Sequence, residues 1–352
     1  MVRLYRKQGG KDKISCRKGG SMKQIRLGTI GTGFIVNNIL NGVKAVEGIS
    51  LEAVYSRSEE KGRFLAGKYG AKKVYTELEE LLSDEEVNFI YVASPNGLHY
   101  EQAKAALLHG KNVICEKPMC PQKAQVMELI ALAEAGGLVL VDATPTAFLP
   151  NLNIIREKLP EIGRIRLVMS SYSQYSSRYD QLLAGEITNV FSPDFAGGCL
   201  QDINYYNVYL NVALFGKPER AVYYPNICGS GVDTSGIAIL QYPDFVSECA
   251  GAKDTWGDNH VQIQGEKGYL YIKGGPQGLT EVQLYTKDKE NSYNIQNDLD
   301  RWAYEVQNMT GLLLQGEREA FRRDLLVTTD VIGILEKMRR EAGIFFTGEL
   351  QE

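Results

Sequence analysis

Apolar residues in the first part of the chain come in short continuous runs, and segments of helical period separate them. Residues 24–30 read as a buried strand, with Ile25, Leu27 and Ile30 and little charge toward its end. Residues 34–45 set Ile35, Ile39, Leu40 and Val43 at helical spacing. The alternation continues with strand 51–55, helix 59–69 closed by Gly70, and helix 77–82 capped by Thr76, with Glu79 in the capping-box place. Strand 87–93, helix 98–109 stopped by Gly110, strand 112–115, helix 122–135 and strand 138–141 follow. This rhythm predicts α/β architecture with a parallel, doubly wound sheet. Such a sheet binds ligands beyond the carboxyl ends of its strands.

After Pro150 the pattern changes. One helix, 152–158, leads into closely spaced strands at 165–172, 221–227, 236–242, 246–251, 260–264, 269–272 and 281–285. Several alternate apolar and polar residues, which predicts a mostly antiparallel sheet. Helices return at 299–314 and 317–342, the last with Phe321, Leu325, Val331, Ile332, Leu335 and Met338 on one face. A sheet covered by helices on one side leaves an open face. Burial of that face against a second copy predicts a homodimer or homotetramer.

Composition narrows the class. A chain of 352 residues suits two domains, and 44% hydrophobic with 23% charged residues is ordinary for a soluble globular protein. A formal net charge of -4 offers no basic field for nucleic acid. No apolar run approaches the roughly 20 residues needed to span a bilayer, so no membrane partner is expected. The six cysteines form no CxxC pair and no zinc spacing, which fits free thiols in a reducing cytoplasm. The three histidines, His99, His109 and His260, are far apart, so no metal site is expected. Residues 1–21 are basic and glycine-rich without the apolar segment of a signal peptide, and read as a disordered lead-in.

The candidate chemistry sits at the strand ends. Gly31-Thr32-Gly33-Phe34-Ile35 joins a strand to a helix as a dinucleotide turn does: the first glycine permits the bend, and the second lets a pyrophosphate approach the helix N–H groups. Val36 stands where a glycine or alanine is usual, so the match is degenerate, and any tight strand-to-helix turn is the alternative. Ser56 and Arg57 end the next strand, where an enzyme preferring NAD usually has an acid. A hydroxyl and a guanidinium suit a 2′-phosphate, favouring NADP(H) over NAD(H); a solvated arginine is the alternative. Ser94, Pro95, Asn96 and His99 follow another strand, either reaching a nicotinamide ribose or merely forming a helix-starting turn.

Glu116-Lys117-Pro118 is sharper. The proline stops the strand and holds Lys117 extended. A lysine there is ordinarily a surface charge, but partial burial beside a nicotinamide would disfavour its charge and make it usable as an acid or base. In the second part, Gly197-Gly198 starts a helix that sets Asp202 and Tyr206 four apart on one face. An acid and a phenol facing Lys117 would hold a substrate hydroxyl. The alternative is an amphipathic core helix whose first-turn acid suits the dipole.

Taken in order, these residues resemble the glucose-fructose oxidoreductase/inositol dehydrogenase (Gfo/Idh/MocA) family. The resemblance rests on Gly31-Thr32-Gly33, Ser94-Pro95-Asn96 with His99, Glu116-Lys117-Pro118, Phe148 with Pro150, Gly163-Arg164-Ile165, Gly197-Gly198 with Asp202 and Tyr206, and the run 264–268. It implies a Rossmann NAD(P)-binding domain at 22–145 and a C-terminal α+β domain at 146–352 with a large open sheet used for oligomerisation, the last helix packing back on the first domain. It implies hydride transfer between nicotinamide and a hydroxyl-bearing carbon of a sugar, polyol or related cyclic alcohol. Lys117 matches the family's catalytic lysine and Asp202 its substrate-orienting acid. Tyr206, where inositol-type members carry histidine, resembles the sugar and dihydrodiol dehydrogenase branch. Asn204 and Ala147 depart from the family pattern and leave substrate identity open. A dihydrodiol or non-sugar carbonyl reductase, and a non-catalytic NADP-binding regulator, are the alternative functions.

Overall fold

The computed structural model describes residues 24–296 and 299–349, so the lead-in expected over 1–21 lies outside the described residues. Six strands, β1 (Ile25–Ile30), β2 (Ile49–Tyr55), β3 (Lys73–Tyr75), β4 (Phe89–Val92), β5 (Asn112–Glu116) and β6 (Leu140–Ala143), form one sheet in the order β3-β2-β1-β4-β5-β6. Every pairing in it is parallel. Helices cover both faces, which is why β4 and β6 are buried at every residue and β4 reads as an unbroken apolar run. Strand order reverses beside β1, and a crevice opens at the carboxyl ends of β1 and β4.

Three details differ from the sequence pattern. β3 is a short edge strand with no apolar run to announce it. The chain stays extended past it to Glu77, the N-cap of helix Leu78–Ser83, so Thr76 does not cap that helix. β6 starts two residues later than its hydrophobicity suggests, because Leu138 still closes the preceding helix by donating its N–H to Ala133 O (2.8 Å). That shift places Asp142 inside the strand.

The second sheet has eight strands: β7 (Ile165–Ser173), β8 (Arg220–Ile227), β9 (Asp233–Gln241), β10 (Val246–Ala252), β11 (His260–Gly265), β12 (Gly268–Lys273), β13 (Glu281–Thr286) and β14 (Glu290–Tyr293). Their order is β14-β13-β12-β11-β7-β10-β9-β8, antiparallel except for the β7–β10 pair. Helix Asn204–Phe215 packs on β7 and β10. The opposite face shows Leu167, Tyr224, Ile237 and Val246 to solvent. The polar β14 gives no apolar signal in the sequence.

Helix Arg318–Glu341 joins the halves. It packs against helix Lys123–Ala135 and β6 on one side and against helix Asn204–Phe215 and β8 on the other. At this seam the buried Asp142 Oδ2 accepts three hydroxyl hydrogen bonds, from Thr144 (2.9 Å), Tyr205 (3.0 Å) and Thr328 (2.6 Å). One carboxylate oxygen thus ties β6 to both helices.

Candidate active site

A cleft of about 280 Å³ lies between the two sheets at the carboxyl ends of the parallel strands. Phe34, Ile35, Ser94, Asn96, His99, Glu116 and Lys117 line it from the first half. Asp202, Tyr206, Tyr172 and Lys253 line it from the second. Gly31, Thr32, Gly33, Ser56, Arg57 and Pro95 are not on this wall; they stand at the ends of β1, β2 and β4 beside it.

The turn after β1 has the shape of a dinucleotide cradle. Gly31 has φ 117°, and a side chain there would come within 2.6 Å of Ala93 O. Only glycine fits that crossing. Gly33 is the reverse: a Cβ would meet nothing within 4 Å, and no side chain caps the helix Phe34–Ala45 behind it. The first N–H groups of that helix therefore face open space, as an anion site requires. At the end of β2, Ser56 is buried and Arg57 is exposed, with no ion pair among the described residues. These residues fit a dinucleotide.

The turns after β4 and β5 brace one another. The two ring nitrogens of buried His99 face the carbonyls of Pro118 (3.0 Å) and Ser94 (2.8 Å), so its polar atoms are engaged within the protein. Ser94 Oγ donates to Gln102 Oε1 (2.6 Å), and Asn96 Nδ2 donates to Ala196 O (3.2 Å) across the cleft. Glu116 Oε1 accepts from Tyr91 Oη (2.5 Å). Burial pushes the Glu116 carboxyl up to about 7, against the pull of Tyr91 and Lys117. Behind it, Glu305 is fully buried with neither carboxyl oxygen hydrogen-bonded, and burial, then Glu116, hold it well above the usual carboxylate range.

Lys117 follows β5 through a cis peptide to Pro118. Its ammonium donates to Asp202 Oδ1 (2.7 Å) and to the Asp202 main-chain oxygen (3.0 Å), and lies 4.5 Å from the centre of the Tyr206 ring. The bond to the carbonyl has a local consequence. Asp202 O would otherwise accept the helical N–H of Tyr206; instead Tyr206 N donates to Ile203 O (3.3 Å). The expected single helix is therefore two, Cys199–Asp202 and Asn204–Phe215, with Asp202 and Tyr206 on opposite sides of the break. Both side chains still face the same cleft.

Charge at the site also differs from the sequence expectation. Burial does push the Lys117 ammonium down, but Asp202, helped by Tyr206, reverses this and holds it above its ordinary value. With Asp202 beside it, Lys117 is held in its ammonium form. Asp202 is likewise raised by burial but lowered further by Lys117 and Lys253, so it remains a carboxylate. Burial pushes the Tyr206 phenol up to about 12, with Lys117 and Arg301 opposing. Among the described residues the Tyr206 hydroxyl has no protein hydrogen-bond partner, which leaves it for a ligand.

Sequence reasoning did not find Lys253, Tyr172, Arg301, Trp302 or Glu305. Lys253 follows β10 as one more lysine after a strand, and nothing local marks it. Arg301 and Trp302 open helix Arg301–Gln315, which runs back from the second half to the first, so only the return of the chain brings them to the cleft. Among the described residues no cluster of His, Cys, Asp or Glu is placed to hold a metal, and no helix is long and apolar enough to cross a membrane.

Comparison with known proteins agrees with this architecture. A family model described as an oxidoreductase family with an NAD-binding Rossmann fold (GFO_IDH_MocA) matches residues 25–143, and one for the GFO/IDH/MocA C-terminal domain matches residues 158–271. The scyllo-inositol 2-dehydrogenase (NADP(+)) IolU of Bacillus subtilis is 34% identical over 329 residues, 92% of this chain and 99% of that protein. The mouse trans-1,2-dihydrobenzene-1,2-diol dehydrogenase is 28% identical over 341 residues, 92% of this chain and 98% of that protein. The fold is shared with the crystal structure of KijD10, a 3-ketoreductase from Actinomadura kijaniata in complex with NADP and TDP-benzene, at a TM-score of 0.81 and 22% identity, covering 90% of this chain and 97% of that one.

Proposed function

The chain belongs to the GFO/IDH/MocA family of NAD(P)-dependent oxidoreductases, and from that membership we propose that it interconverts a secondary alcohol and a carbonyl on a cyclic polyol or sugar, with NADP(H) preferred. The observation that carries this reading is the meeting of Lys117, Asp202 and Tyr206, from two halves of the chain, in one cleft beside the Gly31–Gly33 turn.

Gly33 and the helix behind it would hold the pyrophosphate, Ser56 and Arg57 the adenosine ribose and its 2′-phosphate, and Ser94, Asn96 and Glu116 the nicotinamide half. A bound nicotinamide supplies the hydride for reduction or accepts it in oxidation. Tyr206 handles the proton. Its phenol, protonated at neutral pH, donates to the carbonyl oxygen during reduction; for oxidation it first releases that proton to solvent, and the phenolate then takes the alcohol's proton. Lys117, fixed as an ammonium by Asp202, stabilises the phenolate and the substrate oxyanion. The free face of Asp202 accepts a second substrate hydroxyl. Loss of the Tyr206 proton is thus favoured by a cation that does not itself have to move.

NADP preference is supported by exposed Arg57 where an acid would bind a bare ribose, and by the NADP(+) in the name of the Bacillus subtilis relative. The open face of the second sheet, with Leu167, Ile237 and Val246 exposed, supports burial against a second copy. Five free cysteines among the described residues suit a reducing cytoplasm. A dihydrodiol or other non-sugar substrate is the second reading, favoured by the aromatic walls Tyr172, Phe195 and Trp302 and by the mouse relative.

The test is a substrate panel with NADP and NAD, read by nicotinamide absorbance: inositols first, then pyranoses, then cyclic dihydrodiols. Turnover of a cyclic alcohol supports the proposal. Tight cofactor binding with no turnover on any of them supports the regulator instead.

A further inference from the structure

Asp202 is held by two lysines, one on each carboxylate oxygen. Lys117 Nζ lies 2.7 Å from Oδ1, and Lys253 Nζ lies 2.6 Å from Oδ2. Lys253 is 3% exposed and sits over the Phe191 ring, 5.4 Å from its centre. An ammonium this deep is costly to bury unless it is paired. One carboxylate cannot fully offset two ammoniums. Asp202 therefore screens Lys117 from Tyr206 less than a private counter-ion would. The pairing also fixes the carboxylate plane, so Lys117 cannot follow a rotating Asp202 away from the ring.

Other charged groups surround this trio. Arg301, Tyr172 and Glu116 face Tyr206. Asp233 and Asp254 lie beyond Lys253, and one oxygen of each is engaged elsewhere. Asp233 Oδ2 accepts from Leu200 N (2.6 Å) and Tyr223 Oη (2.6 Å). Asp254 Oδ2 accepts from Thr234 Oγ1 (2.6 Å) and Ser235 Oγ (2.9 Å). Lys253 forms its ion pair with Asp202 and with neither of them.

We propose that Lys253 is a positioning residue of the reaction: by holding the far oxygen of Asp202 it keeps Lys117 in place against Tyr206, and so favours the oxyanion formed when the proton leaves. This rests on the hydride-transfer reading above. It predicts an effect on proton release that a merely structural lysine would not have.

The experiment uses the full chain with its cofactor and the best alcohol from the panel. In the oxidation direction, the pH dependence of kcat/KM is compared for wild type, Lys253→Met and Lys253→Arg. With Asp202 no longer held, Lys117 is free to leave the Tyr206 ring, so Lys253→Met should move the alkaline midpoint up by about 0.5–1 pH unit. Lys253→Arg should restore the wild-type midpoint. In an Asp202→Asn background, Lys253→Met should add no further shift, because the two residues act as one unit. Thermal unfolding and cofactor binding check that each variant is folded; if Lys253→Met is not, Lys253→Gln takes its place. A lower rate with an unmoved midpoint would overturn the proposal, as would an equal shift with Asp202 removed. An absence of turnover in the wild type would instead sink the hydride-transfer reading itself.

Discussion

The ammonium of Lys117, at the end of β5, lies 4.5 Å from the centre of the Tyr206 ring, which stands on a helix of the second half. A cation over an aromatic face is favourable, and here it also lowers the cost of ionising the phenol. Lys117→Ala should reduce turnover by about 10²–10⁴-fold while NADP binding stays near wild type. Steady-state rates set beside a fluorescence titration of the cofactor check this. Near-full turnover would remove Lys117 from the chemistry.

Gly33 separates folding from cofactor binding. A methyl group there meets nothing in the protein, and its backbone angles, φ -77° and ψ -172°, suit alanine. Gly33→Ala should therefore leave the thermal midpoint unchanged and weaken NADP and NAD alike, since the methyl fills the pyrophosphate approach. Gly31→Ala should also destabilise the fold, because its Cβ would strike Ala93 O. Unfolding curves and cofactor titrations on both variants distinguish the two glycines.

Arg57 tests the choice of cofactor. It is exposed at the end of β2 and forms no ion pair among the described residues, so removing it should cost little stability. Arg57→Ala should raise the Kd for NADP by at least tenfold and change NAD much less, because the lost contact is charge-assisted. Equal losses on both cofactors would show that Arg57 does not meet a 2′-phosphate.

Asp202 links the site to acid stability. Its carboxyl is held below the ordinary 3.8 despite burial, so the folded state binds fewer protons than the unfolded chain in acid. Its stabilising contribution is fully present above pH 3.8 and is lost as pH falls through the folded-state value. Asp202→Asn leaves two lysines without their shared counter-ion and should cost about 3 kcal/mol at pH 7. The gap from wild type should narrow below pH 3.8. Urea unfolding at pH 7 and pH 3.5 measures both; a gap independent of pH would contradict this account.

The parallel sheet was legible because its strands are buried on both faces and announce themselves as apolar runs between helices. The glycine turn and Glu116-Lys117-Pro118 were legible because strand ends in such a sheet share an edge. β3 and β14 were not, since short edge strands carry little apolar content. The break between Asp202 and Tyr206 was hidden for a different reason: it arises where Lys117, 85 residues away in the chain, occupies a helical carbonyl. Lys253 was hidden in the same way. Its neighbour Asp202 is 51 residues distant, and no local periodicity encodes a shared counter-ion. The raised charge of Lys117 reverses what burial alone suggests, because the sequence shows the desolvated lysine but not the distance to its acid.

Asp142 pins the strand that floors one half to the helix that carries Tyr205 and Tyr206. Thr328 donates to the same oxygen, so one buried carboxylate joins the strand, that helix and the long C-terminal helix. The distance from the Tyr206 helix to the strand ends of the parallel sheet is thus set where the buried carboxylate sits, at the seam and not at the cleft.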